Sequence, residues 1–559
     1  ISYSVTGVQT CALPIYRSYL GLHDEGSASV IASWHVLNET GRSKILNISP
    51  ELLGEGPASS ARSSGLQLSK VVVAPVHPVL FKTYDTDKLG QAILVNSGKR
   101  RIDDIEVTLY DPQYMSTATM CDAPASLKAG EKAEIALHAL FKANVLELSE
   151  GTKVMATIGV AYTLEGRRYR YDTTIPLTFL HRNAISWDDD RKAAVFVTAK
   201  DPVVLKFARS AAATADGLRS GDLDLGFLYA LTVFNSLGAA GLNYKSDPVT
   251  PYARLSEDSL AIDYLQFPVQ TLEYRSGDCD DLSVLFCALL ESIGIETAFI
   301  TVPGHILCAF AMTGESSASW FSSGADFIKS DGKLWVPVEA TLMGKGFLEA
   351  WRSGAEAWKR TRPDQASLLP TRASWERFPP VGFDIRSAAA DPPDQAKVAA
   401  RASGDLSWLA EREVLPRLAA IAKEAGAASN EPRYRNKSGV VYARYGLFDK
   451  AETEFKAAAA GGYGAAFINM GNLALGRGDP GSAITSYRRA STMGSSLEGP
   501  ALEGIIRCSS ALGDRDGYAK AWERLKTLDP KRAERYAFLA DASGERASAA
   551  IKGGLPWID

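Results

Sequence analysis

Cys279, His305 and Glu339 are residues whose types and order fit nucleophilic attack on a carbonyl carbon. Cys279 stands in Arg275-Ser276-Gly277-Asp278-Cys279-Asp280-Asp281-Leu282-Ser283, His305 in Val302-Pro303-Gly304-His305-Ile306-Leu307, and Glu339 in Trp335-Val336-Pro337-Val338-Glu339-Ala340-Thr341. A thiol attacks only as its thiolate, and a cysteine just before a helix start meets backbone N–H groups and the positive end of the dipole. That placement predicts a lowered pKa for Cys279. Asp278, Asp280 and Asp281 oppose it, because nearby carboxylates disfavour another negative charge. An imidazolium is needed to offset them, and His305 is the only histidine after His181. A carboxylate on the other ring nitrogen would hold the tautomer, and Glu339 ends the next expected strand. Asp326 and Asp331, in the loop before Trp335, are the alternative acids. Gln270 is a candidate oxyanion-hole amide.

Other polar and sulfur-bearing residues read more plainly. Asp281 is expected to make a structural hydrogen bond in a first helical turn. Cys287, Cys308 and Cys508 sit among apolar residues and read as core cysteines. With Cys121 and Cys279, and with Cys11 set aside as part of a stretch that reads as an artefact, they form an odd, scattered set that is no disulfide framework. Asp188-Asp189-Asp190 offers oxygens suited to Ca²⁺ but reads as a solvated acidic turn. No cysteine and histidine spacing suits zinc, and no metal or cofactor is expected.

The elements that must position these groups follow from periodicity. Apolar residues at i, i+3 and i+4 predict helices over 203–213 and 225–237, and Pro268 opens a stretch running to Cys279. A helix over 280–293 stops at Gly294. Strands are predicted over 296–302, 305–312 and 333–338. Together they make an α+β domain over 186–362.

A cysteine at a helix start, a histidine on a strand and an acid on the neighbouring strand resemble the transglutaminase-like superfamily of papain-like cysteine enzymes. The segment from Gly277 to Ser283 is similar to that family's Gly-x-Cys-x-Asp-x-(Ala/Ser) box, and the segment from Trp335 to Thr341 to its Trp-x-x-x-Asp-x-Thr box. The resemblance spans roughly residues 203–351. It implies Cys279 as nucleophile, His305 as base and Glu339 as the orienting acid, with Gly277 and Asp281 as motif support. Glu339 stands where the family usually has Asp, and Leu307 where an aromatic is often found.

The rest of the chain is organised around that domain. At 559 residues, 46% hydrophobic and 23% charged, it is too long for one core and too apolar to be disordered. A net charge of −4 supplies no basic field for nucleic acid. The longest uncharged stretch, 225–244, carries asparagines, serine and glycines that suit a buried globular helix rather than a bilayer span, so no transmembrane segment is expected. Residues 1–15 resemble one translation frame of a sequencing adapter and are read as an assembly artefact on a truncated reading frame. Residues 16–65 read as the remnant of an upstream domain and a linker. Short β-rich runs with turn signals such as Asn96-Ser97-Gly98 and Glu165-Gly166 predict an immunoglobulin-like β-sandwich of about seven strands over 66–182. Residues 363–398 are Pro-rich and read as a tether.

Residues 399–559 hold an internal repeat. Gly439, Tyr442, Gly446, Phe448, Ala451, Phe455 and Ala458 recur 32 residues later as Gly471, Ala474, Gly478, Pro480, Ala483, Tyr487 and Ala490. This pattern resembles the tetratricopeptide repeat, whose helix pairs present a groove for a protein partner. A degenerate third copy runs from Ala501 to Asp529-Pro530.

The expected function is thiol-mediated acyl transfer on a protein or peptide substrate, with hydrolysis favoured over cross-linking. Cross-linking needs water kept from the thioester, for which Trp320 and Trp335 are the available tunnel residues. The alternative is a non-catalytic scaffold that recruits partners through the repeats. Similar architectures point by analogy to a bacterial cell-envelope or secreted setting.

Overall fold

The computed structural model describes residues 65–219, 221–246, 261–314, 319–382, 391–539 and 556–559, and the backbone of two short paired strands, Ser33–Leu37 and Ser43–Asn47. The stretch read as an adapter, and most of the upstream remnant, lie outside the described residues. Helix makes up 48% of the structure and strand 22%, so it is a mixed α+β protein of several domains. The chain divides into two compact units, Ile1–Arg182 and Asn183–Asp559. No helix among the described residues is long and apolar enough to cross a membrane.

Beyond residue 64 the first unit holds two antiparallel sheets. One pairs Leu66–Val73, Gly90–Asn96 and Lys132–Leu137; the other pairs Ile102–Tyr110 with Thr119–Cys121, Ser126–Leu127 and Thr152–Leu164, which pairs in turn with Arg167–Phe179. Along Gly90–Asn96 every second residue from Ala92 is buried, the mark of a strand with one face on a core. Asn96 ends that strand by donating to the carbonyls of Arg100 (2.8 Å) and Leu127 (3.0 Å) and accepting from Gly98 N (3.0 Å). The long hairpin turns through Glu165 (φ 52°) and Gly166 (φ 78°), the pair of positive φ values that matches the twist of its strands.

The second unit is built on a five-stranded antiparallel sheet. Its order is Ile328–Ser330, Lys333–Val338, His305–Ala311, Thr297–Val302, Ser367–Pro370. The apolar helix Cys279–Ser292 packs on Thr297–Val302 and His305–Ala311, with Cys287 and Cys308 fully buried between them. Helices Pro202–Leu218, Leu225–Ala239 and Phe347–Arg360 complete this layer.

The tether expected over 363–398 is not one. Ser367–Pro370 is the edge strand beside Thr297–Val302, and helix Thr371–Arg377 follows it with Ser374 buried. Four residues suffice because their backbone groups find partners on a strand already in place, and Pro370 at an edge strand's end needs no ladder donor. The boundary expected at 398/399 falls inside helix Gln395–Ala425, which begins at the Asp394 cap. That helix packs on Pro202–Leu218, Leu225–Ala239 and Phe347–Arg360 and also on Pro432–Arg444. Its Asp405 accepts from Asn235 Nδ2 (2.7 Å) and Phe347 N (3.1 Å). One helix therefore belongs to both halves of the unit.

Six helices follow, from Pro432–Arg444 to Arg515–Leu528, each packed on the next. The 32-residue period has a direct cause. A Cβ on Gly439 would stand 2.5 Å from the Phe455 ring, and one on Gly471 2.6 Å from the Tyr487 ring. The same glycine–aromatic contact closes both helix pairs.

Candidate active site

Cys279 is the first residue of its helix, and the chain before it is shaped to put it there. Helix Pro268–Tyr274 ends at Arg275, whose φ of 53° turns the backbone out of the helix. Ser276–Gly277 then pairs in parallel with Asn243–Tyr244. The turn is locked by Asp281, which accepts from Asp278 N (3.3 Å), Gln266 N (2.7 Å) and Gln266 Nε2 (2.7 Å). Gly277 is required because a Cβ there would stand 2.5 Å from the Cβ of Asp281. Asp281 and Gly277 thus hold the turn that presents Cys279.

His305 opens its strand directly after Pro303-Gly304, with Gly304 at φ 71°. Glu339 directly follows the strand Lys333–Val338. Antiparallel pairing of Cys308 with Val338 sets the start of one strand beside the end of the other. The result is a 2.6 Å hydrogen bond between His305 Nε2 and Glu339 Oε2. The other oxygen, Oε1, accepts from Thr341 Oγ1 (2.7 Å) and Thr341 N (3.2 Å). Burial of Glu339 works to raise its pKa, but the bond and charge of His305, aided by Thr341, outweigh it and hold the carboxyl below its ordinary value. An ionised carboxylate only accepts, so the Nε2 proton points at Glu339 and Nδ1 is the ring nitrogen turned away from it. The Glu339 side chain thus reaches the imidazole from the residue that follows its strand.

The thiol lies against the start of the His305 strand, where it meets the backbone N–H of Ile306. Its pKa is not lowered as its position at a helix start predicts. Burial, then the charges of Asp278 and Glu339, push it up to about 12 against the N–H groups of Ile306 and Asp280. Only 7% of Cys279 is exposed, and two backbone dipoles do not replace lost hydration between two carboxylates. The resting thiol is protonated.

The acids around it share that burial. Asp280 is raised well above the ordinary carboxyl range by burial and by Asp278 facing it, and Asp281 by burial and the charge of Asp278. Oxygens of Asp278, Asp280 and Asp281 lie within 4.8 Å of one another, but Asp281 is committed to Gln266 and to the Asp278 backbone.

Other candidates lie elsewhere. Gln270 is not an oxyanion donor: its Oε1 accepts from Asn183 Nδ2 (2.7 Å) and Phe267 N (2.9 Å), and its Nε2 faces Asn183 Oδ1 (3.5 Å). It caps its own short helix. Asp326 pairs with Lys359 at 2.6 Å, and Asp331 bonds Ser330 Oγ in a turn. Neither acid is the partner of His305. Trp335 packs at the far end of the Glu339 strand, opposite Ala311, while Trp320 packs on Tyr445 with ring centroids 4.4 Å apart and the rings tilted by 50°. They do not line a common tunnel. Asp188 and Asp189 are taken by Lys192 and Arg191.

Tyr244 is a neighbour of the site that the sequence reading did not name. Half exposed, it is raised in pKa by burial, against a hydrogen bond with Ser246, and by its proximity to Cys279, Asp278 and Glu339. Its only sequence signal is an aromatic after the Gly241 helix end, too common to single out. Comparison of the chain with protein-family models, curated proteins and solved structures gives no match.

Proposed function

We propose that the domain around Cys279 is a transglutaminase-like cysteine enzyme that transfers an acyl group from an amide or peptide bond, chiefly to water. The observation that carries this reading is the His305–Glu339 pair at the strand ends, with the thiol of a helix-initial cysteine against the N–H of Ile306, the residue after His305. As a substrate carbonyl arrives, the Cys279 proton passes to His305 Nδ1 and sulfur forms the C–S bond, sending the π pair to oxygen. A thiol at about 12 makes this transfer concurrent with attack. The Tyr244 hydroxyl and the N–H groups of the helix start are the donors for the oxyanion. Collapse expels the amine with the proton from His305 and leaves a thioester. Water then yields a proton to His305, its oxygen attacks, and the thiol returns with release of a carboxylic acid.

Hydrolysis is favoured because the two tryptophans that would exclude water lie elsewhere. The two-sheet unit is read as an immunoglobulin-like accessory module. The helical stack is read as tetratricopeptide-type repeats that recruit a protein partner or substrate.

One observation favours a scaffold instead: the resting thiol is protonated among acids. Incubation with activated acyl amides followed by intact-mass measurement separates the two. An acyl adduct on Cys279 that is lost in His305→Ala supports the enzyme, whereas a folded chain acylated no faster at Cys279 than at Cys287 is a scaffold.

A further inference from the structure

Residues 556–559 lie along the helical repeats as an extended segment, and buried asparagines hold its backbone. Asn469 reads Ile558 twice, accepting from its N–H at 2.9 Å and donating to its carbonyl at 2.7 Å. Asn436 Nδ2 donates to the same carbonyl at 2.8 Å, and Asn472 Nδ2 to that of Pro556 at 2.8 Å. The amides are themselves braced: Asn469 Nδ2 donates to Asn436 Oδ1 (2.9 Å) and the Tyr487 hydroxyl to Asn472 Oδ1 (2.7 Å). Asn436 and Asn469 are fully buried and Asn472 nearly so. The side chains of the segment are used as well, with Trp557 stacked on Phe455 at 6.1 Å between ring centroids and Ile558 packed against the repeat core.

Buried carboxamides are costly to leave unpartnered, and these face a peptide backbone with carbonyls two residues apart. Such a groove selects an extended chain through its main-chain groups, with pockets for one aromatic and one aliphatic side chain. We propose that the repeat groove is a peptide-binding site occupied in cis by residues 556–559, and that a partner segment of the same kind, an aromatic followed by a β-branched residue, must displace them. This rests on the reading of the repeats as a recruitment groove and is independent of the chemistry at Cys279.

The test uses a fluorescent peptide of residues 554–559 and anisotropy. A chain ending at residue 555 should bind it, and the full chain should bind it on the order of 1,000-fold more weakly, because a tethered segment competes at millimolar effective concentration against a micromolar affinity. Full-length Trp557→Gly/Ile558→Gly should recover binding without shortening the chain. Methylating the backbone nitrogen of the peptide's Ile558 should abolish binding by removing the proton that Asn469 accepts. Equal affinity for the full chain and both variants would overturn cis occupancy while leaving the groove reading intact. No binding to either folded variant would overturn both.

Discussion

His305 Nε2 and Glu339 Oε2 are 2.6 Å apart, and the carboxylate is anchored from behind by Thr341. A carboxylate held at both oxygens orients a ring more firmly than a free one. Glu339→Gln should therefore keep the fold while lowering turnover roughly 10³–10⁴-fold, since the amide can present N–H₂ and favour the wrong tautomer. Cys279→Ala should cost more still. Steady-state rates of the two variants, beside Asp326→Asn and Asp331→Asn as unaffected controls, check the assignment. A wild-type rate for Glu339→Gln would remove it from the mechanism.

Glu339 also makes a pH statement. Its folded pKa lies below the ordinary 4.5, so its contribution to stability is present above the unfolded value and is lost as pH falls through the folded one. Acid-induced loss of stability between about pH 5 and pH 3 should be shallower in Glu339→Gln. Denaturant midpoints across that range test it, and parallel curves for the two proteins would contradict the His305–Glu339 bond.

The thiol behaves in the opposite sense. With its folded pKa raised from 9.0 to about 12, Cys279 contributes stability that is present below 9 and is lost as pH rises towards 12. Cys279→Ala should flatten part of the alkaline loss while shifting neutral stability by only about 1 kcal/mol. Alkylation of Cys279 in the absence of substrate should keep rising with pH through 7 to 9. A rate that is already flat there would mean a preformed thiolate.

Gly277→Ala should destabilise the unit by about 1–3 kcal/mol, because the new methyl must displace Asp281 and the bonds it makes. Pairing it with Asp281→Gly would relieve the clash at the expense of the turn, so turnover should stay low while part of the stability returns. Melts and rates on the single and double variants separate the two effects.

Removing residues 431–559 should destabilise the domain that bears Cys279. Tyr445 packs its ring, tilted, on that of Trp320 and donates its hydroxyl to the Trp320 carbonyl. Arg444 O accepts from Asp222 N at 2.8 Å and from Trp320 Nε1 at 3.4 Å. Tyr445→Ala should lower stability by about 3 kcal/mol, in the range of large-to-small core substitutions. An unchanged melting temperature would show that this docking contributes nothing.

Tyr244→Phe should lower acyl transfer roughly 10²-fold with almost no change in stability, the expected loss of one oxyanion donor. An unaltered rate would leave the helix-start N–H groups alone in that role.

What the sequence determined by itself is short-range. The turn at Glu165-Gly166, the helix start to within one residue of Cys279, the break between strands at Pro303-Gly304 and the 32-residue glycine–aromatic period were all legible because the groups that set them lie within a few residues or recur at a fixed interval. The order of helix and strands around Cys279, His305 and Glu339 was legible for the same reason. Only the tertiary structure decided the rest. Ser367–Pro370 is a strand solely because Thr297–Val302 offers it an edge, and Gln270 is committed to Asn183, which is remote in sequence. The protonated state of Cys279 follows from burial between Asp278 and Glu339, which no spacing reveals. Residues 556–559 meet their asparagines only once the repeats have stacked. Turns and helix starts are governed by local dihedral and capping energies, whereas pairing, desolvation and groove occupancy depend on groups that folding alone brings together.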